Sequence, residues 1–316
     1  MRDGVMATAK AEKGSSLWKR IKQQKYLLIM AVLPVAWMLI FCYYPIYGIV
    51  VAFKDYNFGL GIMGSPWAGL KYFKELFGDP DIPRIIVNTF RISFLKLLFG
   101  FPAPIIFAVL LNELRGMKMY KKFVQTATYL PHFISWAFIA GYLSTLLTDD
   151  GAINSMLMSL GLTSQPIQFL AQKGTFIGVI VASDVWKSFG FSSIIYLAAI
   201  TAVDVQLYEA ATIDGATRFQ QVWHITLPSI KPTIMILLIM SISGLMGSNF
   251  EQMYLMKNSL VNDVAEVLST YTYTMGMIKG RFSYSTAADL FQSFVSVTLL
   301  LTANFASKKL TDESFF

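Results

Sequence analysis

Apolar residues in this chain gather into long runs separated by shorter polar stretches. Six windows stand out: Tyr26–Phe53, Ile85–Asn112, Phe123–Thr148, Gly174–Val203, Pro232–Leu255 and Phe282–Ser307. About 20 apolar residues, coiled as a helix, cross the ~30 Å hydrocarbon core of a bilayer, so each window predicts a membrane span. The first and third carry no charge, and the others carry one or two charges each. Helix breakers punctuate them, Pro34 and Pro45 in the first and GFPAP (Gly100–Pro104) in the second. Such residues are tolerated where neighbouring helices re-satisfy the backbone. Small residues recur in SISGLMGS (Ser241–Ser248) of the fifth window, which predicts close helix packing there.

Composition agrees with this pattern. Of 316 residues, 55% are hydrophobic and 14% charged, and the mean hydropathy is +0.53; a soluble domain carries about a quarter charged residues. The distribution of Lys and Arg then orients the spans. With the N-terminus inside, segments 1–25, 113–122, 204–231 and 308–316 are cytoplasmic and hold fifteen Lys/Arg, whereas 54–84, 149–173 and 256–281 hold eight. The net charge of +7 is thus a topology signal, not a nucleic-acid footprint. Residues 1–25 read as a basic arm that becomes amphipathic at Leu17–Ile21, residues 26–307 as one membrane domain, and 308–316 as a tail. Tyr26–Phe53 is too long for the apolar core of a signal peptide and is expected to be retained. The single cysteine, Cys42, excludes an intrachain disulfide and reads as a packing residue.

One polar stretch is more organised than a connection requires: YEAATIDGATRFQQVWHITLP, Tyr208–Pro228. Asp204 is placed to cap a helix whose first turn would carry Glu209, and Leu207, Ala210, Ala211 and Ile213 would give that helix a small apolar surface. Gly215 permits a sharp turn. Thr217 or Arg218 would begin a second piece ending near Ile225, with Pro228 and Pro232 setting up the fifth span. The expected unit is a helix–turn–helix on the membrane surface. It lacks the Lys/Arg-rich polar face of an interfacial anchor.

These residues resemble the signature cytoplasmic loop of binding-protein-dependent ABC importer permeases. Glu209, Ala210, Ala211, Asp214, Gly215, Ala216, Ile225, Leu227 and Pro228 match its pattern. YYPIYGIVVAFKDYNFGLGIMGSPWAGLKYFKELF (Tyr43–Phe77), YLPHFISW (Tyr129–Trp136), NFEQMYLM (Asn249–Met256) and STYTYTMG (Ser269–Gly276) further resemble permeases for large oligosaccharides, the group that moves pectin-, alginate- or xylan-derived fragments. The resemblance implies an all-α integral membrane protein with six transmembrane helices, the type I ABC importer permease fold and both termini in the bacterial cytoplasm. It implies a second permease forming a heterodimer, two ATPase subunits and an extracellular substrate-binding protein. The loop, with Arg218, would couple to the ATPase. The chain would bind no cofactor of its own, ATP and Mg being used by the partner, and its surroundings would be lipid.

Ionisable residues at membrane depth are functional candidates by default. Asp184 and Lys187, three apart on one helix face, would neutralise each other, either as a structural pair or as a substrate contact beside Trp186. Asn249, Glu251, Gln252 and Tyr254 combine planar polar groups with an aromatic face, which suits either a sugar path or the permease–permease interface. Arg91 fits a hydrated cavity or a snorkelling role, and His132, after Leu-Pro, is expected to satisfy a backbone group at a helix break. No catalytic triad, HExxH motif or phosphate-cradling loop is present. A permease for amino acids, peptides or ions, and a non-transporting membrane scaffold or enzyme, are the alternative readings.

Overall fold

The computed structural model describes residues 24–114, 116–247 and 250–311, so Asn249, most of the N-terminal arm and residues 312–316 of the C-terminal tail lie outside the described residues. Among the described residues all regular structure is helical apart from one isolated bridge between Lys54 and Trp67. Helix α1 (Lys25–Met38) continues through a π turn (Leu39–Tyr43) into a 3₁₀ segment (Tyr44–Phe53). No residue of α1 or the π turn is buried, and Cys42 is exposed, so it does not fill a packing role within this chain. This apolar rod meets the bundle through its Tyr44–Phe53 end, where Val51 and Ala52 are buried.

After α2 (Lys71–Gly78), α3 (Ile82–Gly100) and α4 (Pro102–Glu113) form one apolar rod of 32 residues. The GFPAP stretch passes without a full break because Pro102 and Pro104 fall in the first turn of α4, where backbone N–H groups lack intrahelical partners anyway. The third window behaves differently. It is not one helix but α5 (Lys118–Tyr129), a 3₁₀ turn (Leu130–Phe133) and α6 (Trp136–Leu146). Pro131 ends the helical ladder, Ile134 and Ser135 are extended, and the Ser135 hydroxyl restarts it by accepting from Phe138 N at 3.3 Å.

The freed carbonyls are met from α8 (Lys173–Thr201), which follows α7 (Ala152–Ser159). Lys187 Nζ donates to the carbonyls of Pro131 at 3.3 Å, His132 at 2.8 Å and Ile134 at 2.5 Å, and lies 5.6 Å from the centre of the Trp136 ring. His132, expected to cap the break itself, instead offers its carbonyl to Lys187 and stacks its ring on Phe191 at 4.0 Å. A few residues on, Gly190 lets α8 cross α5, since a Cβ there would strike the Thr128 carbonyl.

The polar loop forms α9 (Val205–Ile213) and α10 (Arg218–Gln221). The second piece does not end near Ile225. It runs through a π turn (Val222–Thr226) into α11 (Leu227–Ser243) and on to Met246 as one rod. Pro228 removes a donor, and the ladder adapts upstream by bonding Leu227 N to the Val222 carbonyl, five residues back. The rod stops before Gly247, so the window Pro232–Leu255 is also divided; α12 (Phe250–Met256) is a separate helix packed on α6. The small residues Ser241 and Gly244 line a cavity and do not mark a tight crossing.

Helix α13 (Leu268–Tyr273), a π turn (Thr274–Ile278) and α14 (Phe282–Thr311) complete the described chain. Helix α8 is central, packed on α3, α4 and α11, while α14 packs on α11, α2 and Tyr44–Phe53. Lys25–Phe53, Ile82–Glu113, Arg218–Met246 and Phe282–Lys309 are long and apolar enough to cross a membrane, and α8 with α9 qualifies as a fifth, bent by 69°.

At one end of the bundle, polar side chains tie the connections together. Asn88 Nδ2 donates to the carbonyls of Asp263 and Glu266, Asn154 bridges Thr148 and Ile167, and Thr89 accepts from Leu268 N. Tyr271 and Tyr284 both donate to Asp79, at 2.5 and 3.0 Å. Burial opposes ionisation of Asp79, but these hydroxyls, the Asp81 N–H and the Arg281 charge outweigh it and hold its pKa below the usual carboxylate value.

Two outcomes follow. Lys187→Met strands three carbonyls and is expected to lower the thermal unfolding midpoint of the detergent-purified protein, with a penalty of about 1–3 kcal/mol for each group left without water or a donor. Lys187→Arg should restore part of it. Because the folded pKa of Asp79 is depressed, its contribution is present above about pH 4 and lost as pH falls through the folded value. The difference in unfolding midpoint between wild type and Asp79→Asn should therefore be full at pH 7 and shrink as acid is added below pH 4.

Candidate functional site

The polar loop is built as an exposed knob. Asp204 caps α9, accepting from Gln206 N at 2.9 Å. Glu209 is the fifth residue of α9, beyond the first turn where it was expected, because the helix starts at Val205. Gly215 turns the chain with φ +77°, a value that strains any residue with a Cβ. Thr217 then caps α10 in a reciprocal box with Gln220. Arg218 lies 3.9 Å from Glu113 at the end of α4.

No residue of α9 is buried. Glu209, Ala210, Asp214 and Gly215 are exposed, Ala211 and Ala216 half-buried, and Ile213 projects with 87% of its surface free. Two side-chain ties that the sequence does not advertise fix the knob to the rod behind it. Tyr208 and Thr226 share a hydroxyl hydrogen bond of 2.9 Å, and Gln221 Nε2 reaches Thr212 Oγ1 at 3.1 Å and the Ala216 carbonyl at 3.4 Å. These residues lie 18 and 9 positions apart, and only the turn at Gly215 brings them together.

A second constellation lies between α3, α8, α11 and α12. Asp184 does not pair with Lys187. Its partner is Lys96 of α3, at 3.4 Å. Lys96 Nζ also donates to Gln252 Oε1 at 2.5 Å, and Gln252 Nε2 donates to the Ile180 carbonyl at 2.8 Å and Ser183 Oγ at 3.0 Å. Gln252 is fully buried, so it braces α12 against α8. Lys96 and Asp184 also border a cavity of about 540 Å³ with Ser93, Ser188, Ser192 and Ser241 on its wall. The ion pair cancels charge there, leaving serine hydroxyls set among aromatic and aliphatic side chains, a mainly apolar lining that suits an uncharged solute.

The remaining candidates separate. Trp186 faces a different groove of about 700 Å³, shared with Arg91 and Gly178. Glu251 is exposed, with its charge close enough to Lys187 to be felt there. Tyr254 joins Phe250 and Tyr273 in an aromatic cluster, with ring centres 5.0–5.3 Å apart. Lys96, like Arg91 a cation at membrane depth in α3, is a residue to which sequence reasoning assigned no role, and the structure pairs it with Asp184.

A bundle of spanning helices around a cavity, with a surface knob tied to one of its rods, is the build of a membrane permease. Residues 100–310 match the model of the binding-protein-dependent transport system inner membrane component, and the chain belongs to that family. The protein LplB of Bacillus subtilis (strain 168) is 44% identical over 316 residues, covering 100% of this chain and 98% of LplB. The polygalacturonan/rhamnogalacturonan transport system permease protein YteP of the same organism is 45% identical over 308 residues, 97% of this chain and 95% of YteP. The crystal structure of a bacterial alginate ABC transporter in complex with alginate pentasaccharide-bound periplasmic protein contains a chain that superposes with a TM-score of 0.85 at 40% identity, covering 95% of this chain and 100% of that one.

The ion pair gives a test of the second constellation. Asp184→Leu alone strands the Lys96 ammonium and is expected to destabilise the protein by about 3–5 kcal/mol. Adding Lys96→Met should recover most of that loss. Thermal unfolding of the four members of this cycle measures the coupling.

Proposed function

We propose that this chain is one of two permease subunits in an ATP-driven importer of oligosaccharides in the bacterial cytoplasmic membrane. Two ATPase subunits, which use ATP and Mg, complete the importer, one of them docking on α9, and an extracellular binding protein delivers the sugar to the opposite face. The Lys/Arg distribution supports six spans with both termini inside, the broken segment α5–α6 serving as the third. Substrate class rests on the relatives, whose names place polygalacturonan, rhamnogalacturonan and alginate on permeases 40–45% identical to this chain. Import proceeds by alternating access, with Asp184, Glu251, Tyr254 and the hydroxyl-lined cavity beside α8 on the path.

The observation that carries this reading is the knob itself. It exposes Ile213, Ala210 and Glu209 to no partner among the described residues, yet Gly215 and the Tyr208 and Gln221 ties hold it in one shape. A small apolar surface with an acidic edge, fixed in shape, is a docking element, and Glu209 and Asp214 offer carboxylates to donors on an ATPase.

Gly215→Asp tests it. At φ +77° a Cβ costs roughly 1–2 kcal/mol, and the new side chain stands on the docking face. No atom lies within 4 Å of the Cβ position, so the bundle should fold normally. The expected result is normal membrane levels of both permeases, little co-purifying ATPase and no uptake. A Gly215→Asp complex that keeps its ATPase and imports at the wild-type rate would remove the loop as the transmission element.

A further inference from the structure

Helix α14 carries a polar stripe that the reading above does not use. Ser285, Asp289 and Gln292, at spacings of four and three, share one face two turns inside a helix otherwise apolar enough to span the bilayer. Asp289 is exposed within this chain, accepts from the Thr272 hydroxyl and forms no ion pair among the described residues. A carboxylate cannot face lipid there without a large penalty, so it faces water or another polar surface.

What stands opposite the stripe is a groove of about 370 Å³, within the ~300–1,000 Å³ range of small-molecule sites. Its far wall is α13 with the π turn Thr274–Ile278, a wider helical turn of the kind found at functional sites. Gly276 seats that turn against α14, since a Cβ would come within 2.6 Å of Ser285 Oγ. Tyr273 and Phe250 reach the groove from the aromatic cluster with Tyr254. Thr272 and Thr286 add hydroxyls, and the Oε1 of Gln292 is buried with no hydrogen-bond partner among the described residues. No lysine or arginine lines the groove.

Ring faces beside a carboxylate, an amide and several hydroxyls match a sugar ring, whose C–H face packs on an aromatic and whose adjacent hydroxyls donate to a carboxylate. We propose that this groove is a saccharide subsite, distinct from the cavity at Lys96 and Asp184, that takes one uncharged sugar unit through Asp289, Gln292 and Tyr273. A uronate unit is disfavoured because its carboxylate meets Asp289 with no cation between them. The subsite rests on the oligosaccharide-importer reading and adds to it a preference between sugar units.

The test uses the whole importer in proteoliposomes, with one binding protein throughout and two probes that differ only at the carboxyl group: methyl-esterified and free-acid oligogalacturonides. Wild type and the Asp289→Asn, Gln292→Ala and Tyr273→Ala variants are compared. Asp289→Asn should raise the half-saturating concentration of the esterified probe about tenfold, the scale of one charge-assisted hydrogen bond. It should also shift preference towards the free acid, while Tyr273→Ala weakens import of both probes. Thermal midpoint and recovery of the second permease should stay at wild-type values. Wild-type import with unchanged kinetics in all three variants overturns the subsite alone. Loss of the second permease from the Asp289→Asn complex also overturns it, by making the groove a subunit contact. A wild-type complex that imports neither probe nor any other oligosaccharide overturns both the importer reading and the subsite built on it.

Discussion

Hydrocarbon offers no partner to a backbone amide or carbonyl, and the architecture turns on how this chain meets that demand where its helices break. At Pro131 the ladder is interrupted, and Lys187 of α8 supplies donors to three carbonyls from across the bundle. That contact fixes the rotation of α8 about its own axis. It also sets Gly190 against Thr128 and turns Asp184, three residues earlier, towards Lys96. The central helix is thus positioned by polar contacts as much as by the packing of Phe176, Ile177 and Ile180.

The same logic links the ion pair at the cavity to α12. Lys96, Asp184, Gln252 and Ser183 form a chain of contacts through α3, α8 and α12, with Gln252 fully buried. Buried polar groups are stable when every member finds a partner, and these do. Because cation and carboxylate cancel, the cavity wall offers apolar side chains and serine hydroxyls without a net charge.

Force applied to the knob has a direct route inward. Tyr208 and Gln221 clamp α9 to the base of the rod Arg218–Met246, and the far end of that rod places Ser241 and Gly244 on the cavity wall. In the proposed importer, a displacement of α9 by the ATPase moves one continuous helix, not a flexible connection. The π turn at Val222–Thr226 lies in that route, where the looser hydrogen-bond ring gives the rod a natural place to adjust.

The sequence alone determined the class of protein. Runs of apolar residues are a one-dimensional property, and so is the spacing Glu209, Ala210, Ala211, Gly215, Leu227, Pro228; local geometry then follows, as the Asp204 cap and the left-handed Gly215 show. Tertiary structure decided which polar groups meet. Asp184 and Lys187 are neighbours on one helix, yet each is claimed by a partner from another helix, at Lys96 and at the carbonyls beside Pro131. The breaks within the third and fifth windows, at Pro131 and at Gly247, likewise escape a hydropathy window, which counts apolar side chains and is blind to where the ladder ends and what replaces it. Pairing in a membrane bundle depends on helix rotation and crossing, and those are set by contacts between segments far apart in the chain.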